Sequence, residues 1–299
     1  MSHFCVVVIG DNWQQQLAPY HEFECTGQVD QYVMDVDITE EFLEQVESER
    51  EQGEQDPLES ALGYYGLGDQ VVAHTQEVDR DGDHKYGFAV IQNNKVIQVV
   101  KRTNPNRKWD WYQLGGRWRG YWRVKAGATG VVGDSGAFGK DVKPGWADQV
   151  RKGDVDWDGM RDHAGNQAAE YWDRVHKHVP DGWESFASVR DREQNVEKAQ
   201  EIYWNQPGRL ALKNCGDSQM IWVEDHVLVS RDQYIQNAVN QTGISFAVVC
   251  NGEWMERGEM GWFGMHTDDM EYDTWCAHVR EMFDNLDADM MLTAVDCHI

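Results

Sequence analysis

The feature that most constrains the fold is an apolar, strand-forming segment near each end of the chain. Phe4 to Ile9 is almost continuously apolar, rich in β-branched residues and closed by Gly10, which is typical of a buried strand. A strand with apolar residues on both faces belongs in the centre of a sheet. The last ten residues, MMLTAVDCHI, predict a terminal strand. If these two strands pair antiparallel, the start of one meets the end of the other.

Two hairpins and several helices are predicted between these strands. GFAVIQNNKVIQVV (87–100) turns at Asn93-Asn94, and SFAVVCNGEW (245–254) turns at Asn251-Gly252, because Asn and Gly tolerate the positive φ of tight turns. Both hairpins contain Phe-Ala-Val, an echo that either reflects duplication or arose by chance. Helical patterns cover an acidic surface helix capped by Asp37, 161–178, 191–204, 230–239 and a segment capped by Thr267 that includes 272–286. Residues 62–69 and 127–159 are expected to be loops, and 219–229 a strand or hairpin.

This mixture predicts an α+β fold, with a mixed or antiparallel sheet built from the N- and C-terminal strands and hairpins, and with peripheral helices. We expect three parts along the chain. Residues 1–126 form an N-terminal α+β part, 127–215 a helical, loop-rich middle, and 216–299 a C-terminal α+β part that packs on the N-terminal strand.

Composition indicates a globular cytoplasmic protein. Of 299 residues 41% are hydrophobic, yet no run of about 18 apolar residues exists to span a bilayer. The N-terminal segment lacks the cationic region and the apolar length of a signal peptide. The six cysteines contain no CxxC pair, so we expect reduced thiols; they are Cys5, Cys25, Cys215, Cys250, Cys276 and Cys297.

Charge is distributed very unevenly. The chain carries a net charge of -25, but residues 101–125, here called the basic aromatic segment, hold eight Lys or Arg against one Asp and carry +7, leaving -32 elsewhere. An acidic body disfavours direct nucleic-acid binding, since such binding gains from counterion release at a basic face. The acidity is therefore either a solubilising coat or a negative surface that engages a basic partner or mimics DNA.

The basic aromatic segment is the candidate binding site. Guanidinium groups and aromatic rings alternate in it, so a nucleotide or phosphoryl ligand would stack on Trp while Arg holds its oxygens. In an extended chain, Trp109 and Trp111 share a face, and so do Arg117 and Arg119. The alternative is structural, with the cations pairing with the acidic remainder and the aromatic rings entering the core. The predicted binding residues are Lys108, Trp109, Trp111, Tyr112, Arg117, Trp118 and Arg119.

The chain ends provide a second candidate site. On the terminal strand Asp296 and His298 share a face, and antiparallel pairing would bring His3 beside them. Two imidazoles and one carboxylate form a plausible divalent-metal set. Alternatively, Cys297 with His3 or His298 forms a nucleophile and base pair.

No established catalytic motif is present. The sequence contains no Walker loop, HExxH, nucleophile elbow or zinc-ribbon spacing. It therefore designates no catalytic residue and no cofactor, and it favours a non-enzymatic protein.

Four segments together resemble a known family. They are MSHFCVVVIGDNWQQQLAPY (1–20), NPNRKWDWYQLGGRWRGYW (104–122), GEMGWFGM (258–265) and TAVDCHI (293–299). The chain resembles uncharacterised proteins of bacteriophages and mobile elements that carry an NPNxKWDWYxxGGRW motif. In size and acidity it is similar to phage anti-defence proteins, including the Gabija anti-defence type. The resemblance implies an accessory phage function and transfers no catalytic residue.

Three functional hypotheses follow. The first is a homo-oligomeric interaction protein of the host cytoplasm that inhibits a host antiviral defence complex, for example by blocking a nuclease from DNA. Its support is the charge and the abundance of Trp, Tyr and Arg, which anchor interfaces. The alternative is a nucleotide-binding or nucleotide-processing protein, metal-dependent through the chain-end residues. The third is a DNA mimic acting through charge alone.

Overall fold

Strands and helices are interspersed without a regular repeat. The computed structural model describes residues 2–27, 30–135, 141–260, 266–267 and 270–299, and in this part of the chain it contains fourteen strands and ten α-helices. The strands are β1 (His3–Ile9), β2 (Met34–Asp37), β3 (Val71–Val72), β4 (Gly87–Gln92), β5 (Lys95–Thr103), β6 (Trp111–Leu114), β7 (Trp122–Arg123), β8 (Trp146–Ala147), β9 (Gln149–Arg151), β10 (Ala247–Cys250), β11 (Glu253–Glu256), β12 (Glu259–Met260), β13 (His266–Thr267) and β14 (Met291–His298). The helices are α1 (Trp13–Leu17), α2 (Phe23–Thr26), α3 (Thr39–Glu51), α4 (Pro57–Tyr64), α5 (Trp157–His176), α6 (Phe186–Glu193), α7 (Val196–Trp204), α8 (Pro207–Asn214), α9 (Arg231–Asn240) and α10 (Tyr272–Asn285). The protein has an α+β fold, as predicted.

Both apolar ends of the chain lie in the centre of the main sheet. Its strand order is β11-β10-β1-β14-β6, and β9 pairs with the first half of β14 while β6 pairs with the second half. β1 runs antiparallel to β14 along its whole length, with His3 opposite His298, and parallel to β10. The predicted pairing of the first and last strands is confirmed.

Alternating side chains of β1 build a core on each face of this sheet. Val7 and Ile9 enter a cluster with the buried rings of Trp122 and Trp275 on one face. Phe4, Val6 and Val8 enter a second cluster on the other face; it also contains Leu17 and Trp109. Period-two alternation of an almost wholly apolar strand therefore explains why one segment serves two cores.

A second sheet, of order β2-β5-β4-β3, contains the first predicted hairpin. Asn93 and Asn94 both have positive φ, of 50° and 60°, as the turn requires. The acidic helix α3 packs Phe42 and Val46 against this sheet. It begins one residue later than predicted, with Ile38 as N-cap, and Asp37 instead accepts hydrogen bonds from the backbone and hydroxyl of Thr39.

Other predicted boundaries are corrected by the structure. The single helix expected over 191–204 is divided between α6 and α7, because Gln194 adopts a left-handed conformation with φ 53°. Residues 219–229 form no strand; they form 3₁₀ turns at Ser218–Met220 and Asp225–Leu228. Residues 62–64 belong to α4, and the long 127–159 segment contains β8 and β9. The N-cap of α10 is Glu271, while Thr267 lies in β13.

The main sheet takes strands from each of the three sequence segments, 1–126, 127–215 and 216–299. The two echoing hairpins lie in different sheets, β4-β5 in the second and β10-β11 in the main one. Residues 261–265 of the GEMGWFGM segment lie outside the described residues. Among the described helices none combines the length and apolar character needed to cross a membrane.

Candidate functional site

Most cations of the basic aromatic segment lie beside carboxylates of the same molecule. Five ion pairs connect it to the acidic remainder: Lys101 with Glu24 at 3.5 Å, Arg102 with Asp35 at 3.1 Å, Arg107 with Glu22 at 4.0 Å, Lys108 with Glu256 at 2.5 Å, and Arg123 with Asp156 at 3.0 Å. The structural interpretation of these charges is therefore supported for Lys108 in particular. Its ammonium group is engaged within the fold.

The aromatic residues of the segment divide between core and surface. Trp109 is buried, and its indole Nε1 donates to the carbonyl of Leu17 at 3.0 Å. Tyr112 is half-buried with its ring 4.8 Å from that of Trp109, and Trp118 is half-buried as well. Trp111 alone among the predicted binding aromatics is exposed, at 46%. Trp109 and Trp111 thus do not form the shared ligand face expected from an extended chain.

The Gly115-Gly116 pair packs against two buried carboxylates. A Cβ on Gly115 would lie 2.4 Å from the Asp148 carboxylate, and one on Gly116 would lie 2.4 Å from that of Asp296. Asp148 also accepts backbone hydrogen bonds from Gly120 and Gly133. This loop therefore wraps its backbone around two carboxylates that the sheet holds.

The two candidate arginines occupy a turn instead of a strand. Residues Gly116–Trp118 form a 3₁₀ turn, so Arg117 and Arg119 do not share one face of an extended chain. Arg117 has an exposed side chain, and its backbone N–H donates to Asp296 at 2.9 Å. Arg119 is half-buried.

The chain-end residues come together through strand pairing. Nδ1 of His3 lies 2.8 Å from Oδ1 of Asp296, whose carboxylate is almost fully buried. The imidazole of His298 lies edge-on to that of His3, with ring centroids 4.8 Å apart, and the ring centroid of Trp111 is 6.0 Å from that of His3. His3, Asp296 and His298 therefore converge as the sequence suggested.

A second imidazole–carboxylate pair adjoins the first. Nδ1 of His298 lies 2.6 Å from Oδ1 of Asp110, the residue that precedes β6. Because a carboxylate only accepts, each imidazole in its neutral form carries its hydrogen on Nδ1 and presents Nε2 as an acceptor. Within the described residues neither Nε2 makes a hydrogen bond. Two imidazoles, each oriented by a carboxylate, thus lie side by side.

A thiol and a further carboxylate extend this group. The backbone of Glu22 donates to the carbonyl of Trp109 at 2.7 Å, which brings the start of α2 beside Asp110. Sγ of Cys25 lies 3.6 Å from Oε2 of Glu22 and 3.9 Å from Oδ2 of Asp110. Burial and the adjacent carboxylates of Glu22 and Asp110 raise the pKa of Cys25 to about 11, so the free thiol is protonated near neutral pH.

We call six residues the edge site, and each of them contacts the next one named. They are Glu22, Cys25, Asp110, His298, His3 and Asp296.

The edge site changes which residues are suited to hold a metal. In the described part of the chain, the compact group whose ligand atoms all lie within 4.8 Å of one another is Glu22, Cys25 and Asp110. The predicted set of His3, Asp296 and His298 converges, but each imidazole Nδ1 is engaged by a carboxylate. Asp296 orients His3, as outer carboxylates orient histidines in metal sites.

The alternative nucleophile is not available. Cys297 is fully buried in the core on the sheet face that holds Val6 and Val8, and burial raises its pKa well above the usual range. A protonated thiol enclosed in apolar surroundings cannot attack a substrate.

Sequence reasoning missed Glu22, Cys25, Asp110 and Asp148. The sequence HEFEC (21–25) contains Glu22 and Cys25 close to His21. Such a concentration of metal-ligating residue types could have indicated a metal site. Asp110, the partner of these residues, is more than eighty residues away, and the two segments meet through long-range backbone contacts such as the pairing of His21 with Trp109.

Comparison with protein-family models, curated proteins and solved structures found no match to this chain.

Proposed function

We propose that the protein is a metal-dependent enzyme whose centre is the edge site. Glu22, Cys25 and Asp110 bind a divalent transition-metal ion, and His3 and His298 act as acid–base groups next to it. The observation that carries the proposal is the sharing of Asp110. One of its oxygens faces the thiol of Cys25 while the other receives the imidazole of His298.

The ligand types favour zinc-like ions over magnesium or calcium. Thiolate is a soft ligand that selects zinc and similar metals, whereas magnesium and calcium prefer all-oxygen sites. Three protein ligands with an open fourth position are typical of catalytic zinc centres, where the metal lowers the pKa of a bound water. With such an ion bound, His3 and His298, each held at Nδ1 by a carboxylate, would supply proton acceptors through Nε2.

Cobalt substitution tests the metal centre. Co²⁺ bound by a thiolate gives a sulfur-to-metal charge-transfer absorption, and we expect one such ion per chain with release of the Cys25 proton. Cys25→Ser should abolish the band, and Asp110→Asn should weaken binding by about tenfold or more. Cys215→Ser, at a half-buried thiol outside the edge site, is the matched control. A protein that takes up no Co²⁺, or a band that survives Cys25→Ser, would refute the centre.

Nucleoside phosphates are the proposed substrates. Trp111 presents an exposed ring beside His3 for stacking on a base, and Arg107 lies with its Nε 4.0 Å from Glu22, near the proposed metal. A panel of linear and cyclic nucleotides, incubated with the metal-loaded protein, tests hydrolysis by product chromatography. We expect His3→Gln to lower turnover by about 100-fold or more, while metal binding persists. Absence of turnover of every nucleotide by metal-loaded protein would contradict the substrate class and leave the metal centre standing.

A second candidate is the phage anti-defence protein that acts by protein–protein interaction on a host defence complex. The observation in its favour is the internal pairing of the segment's cations, which leaves the acid excess of the -25 chain to the remaining surface. The chemistry that such a surface fits is a basic partner, including a nuclease's DNA-binding face.

Expression in defended bacteria tests this candidate. Phage growth should be restored, and affinity capture of the protein should recover the defence complex in a salt-sensitive manner. Size-exclusion chromatography with light scattering tests the proposed homo-oligomer. Unchanged phage restriction across strains that carry different defence systems would count against it.

A further inference from the structure

An aromatic cleft separate from the edge site lies between α7, the start of α8 and residues 221–225. It encloses about 480 Å³ and opens to solvent. Clefts of this size, lined by aromatic rings with a few polar groups, are typical small-molecule sites. The lining consists of Phe186, Gln200, Tyr203, Trp204, Arg209, Trp222, Val223, Glu224 and Asp225.

Two tryptophans form the mouth of the cleft and remain uncovered. Trp222 is 74% exposed and Trp204 is 43% exposed, with their rings nearly perpendicular at a centroid distance of 6.1 Å. An indole has one of the largest apolar surfaces of any side chain, so leaving three quarters of Trp222 in water is unfavourable. Exposed aromatic surface of this kind commonly marks a binding site.

A buried cation forms part of the floor. Arg209 is only 3% exposed, its guanidinium lies 4.5 Å from the centroid of Trp204, and its terminal nitrogens donate to the carbonyls of Val223 and Ile221. Within the described residues no carboxylate forms an ion pair with it, and its Nε has no hydrogen-bond partner. The rings of Trp183, Tyr203 and Trp204, with centroids 5.0, 4.9 and 4.5 Å from the guanidinium carbon, take the place of a counter-ion. Each terminal nitrogen donates one hydrogen bond within the described residues, so its second hydrogen is the donor capacity that the fold leaves unused.

Carboxylates supply the complementary acceptors. Asp225 is held in place by Tyr203 and Trp183, which donate to its Oδ1, and by the backbone of Phe186, which donates to Oδ2. Burial, and then the hydrogen bond to Asp225, raise the pKa of Tyr203 to about 12, so its hydroxyl stays a donor. Glu224 has a largely exposed carboxylate at the mouth; its Oε2 lies 3.2 Å from Nδ1 of His226, and Oε1 is the oxygen available to a ligand.

We propose that this cleft binds a planar nitrogen heterocycle of the nucleobase class. A base presents a flat apolar face to stack on Trp222, contacts the nearly perpendicular ring of Trp204 edge-on and, along one edge, offers both acceptors for a guanidinium and N–H donors for a carboxylate. A phenyl or aliphatic group would fill the aromatic corner but would leave the unused hydrogens of Arg209 without an acceptor. The proposal does not depend on the edge site, because no residue is shared between the two.

Calorimetric titration of the full chain with adenosine, guanosine, cytidine, uridine and their monophosphates tests the cleft. We expect at least one of these to bind, and Trp222→Ala to weaken that binding by about tenfold or more. The substitution removes an exposed side chain, so the fold should persist, which the melting temperature verifies. Tyr64→Ala is the matched control, because Tyr64 is 70% exposed in α4, outside the cleft.

A second variant tests whether a carboxylate of the cleft accepts a hydrogen bond from the base. Glu224→Gln keeps the side-chain shape but removes a carboxylate acceptor, so it should weaken binding of the preferred base by about fivefold while Tyr64→Ala has no effect. Three results would overturn the proposal. They are no binding of any nucleoside or monophosphate, binding that Trp222→Ala leaves unchanged, or loss of a dimer in Trp222→Ala, which would assign the cleft to a second copy of the chain.

Discussion

Gly116 links the GGRW motif to a buried carboxylate, and this contact can be tested directly. It has φ 50°, and an added Cβ would lie 2.4 Å from the Asp296 side chain. We expect Gly116→Ala to lower the free energy of unfolding by about 3 kcal/mol, combining backbone strain with displacement of the carboxylate. Gly127 also has positive φ, 85°, but open space around it, so Gly127→Ala should cost only about 1 kcal/mol. If urea unfolding shows the same loss of free energy for Gly116→Ala and Gly127→Ala, the Asp296 side chain moves away from the added Cβ at no cost.

His163 provides a pH-dependent prediction. Burial lowers its pKa from the usual 6.5, and the positive charges of Lys143 and Arg123 lower it further. The unfolded chain therefore binds the proton more readily, so this residue destabilises the fold as the pH falls below about 6.5. His163→Gln should show a smaller loss of melting temperature between about pH 7.5 and about pH 5.5 than the parent protein.

The same exchange at His278, which is exposed in α10, is the control for loss of an imidazole. If the parent protein and His163→Gln have the same slope of melting temperature against pH, burial does not lower the pKa of His163.

Only some of the residues of the edge site could be predicted from the sequence. His3, Asp296 and His298 follow from two adjacent strands whose pairing the apolar pattern predicts. Asp110 does not, since a single aspartate has no spacing signature and its meeting with Cys25 depends on a loop contact. The sequence also does not predict which carboxylate each imidazole contacts, because that contact depends on side-chain orientation across strands.

At the scale of elements, Gln194 explains why one predicted helix became two. Its left-handed conformation ends α6, and its N–H donates to the carbonyl of Arg190. Because glycine adopts this conformation without the steric cost of a Cβ, Gln194→Gly should raise the free energy of unfolding by about 0.5–1 kcal/mol. Gln236→Gly, at an exposed position inside α9, should instead lower it by about 1 kcal/mol. A loss in both variants would show that the turn between α6 and α7 does not need the left-handed residue.

Elements with a complete local signal were predicted, and elements defined by context were not. The Asn93-Asn94 and Asn251-Gly252 turns and the Ser230 cap of α9 are local features, and each was confirmed. The strand or hairpin predicted over 219–229 was wrong. This segment contains two 3₁₀ turns, and its Met220, Val223 and Val227 are buried against neighbouring helices. Its apolar content resembles that of a strand, but its buried positions are three or four residues apart.

At the scale of the whole molecule, the uneven charge decides how the protein responds to salt. Added salt weakens two opposed effects, namely attraction within exposed ion pairs and repulsion among excess carboxylates. With 52 Asp or Glu against 27 Lys or Arg, repulsion dominates, since an excess of 25 carboxylates has no cation to offset it.

Raising NaCl from about 10 mM to about 300 mM shortens the screening length from roughly 30 Å to less than 10 Å, so distant repulsions are removed while buried pairs persist. We expect stability to rise by at least about 1 kcal/mol, or a melting temperature about 2 °C higher for a chain of this size. Chloride is the appropriate anion, because sulfate would also strengthen apolar burial. Sucrose at matched osmolality separates screening from solute exclusion. A melting temperature that falls with NaCl would mean that ion pairs such as Lys101–Glu24 and Arg102–Asp35 outweigh the repulsion.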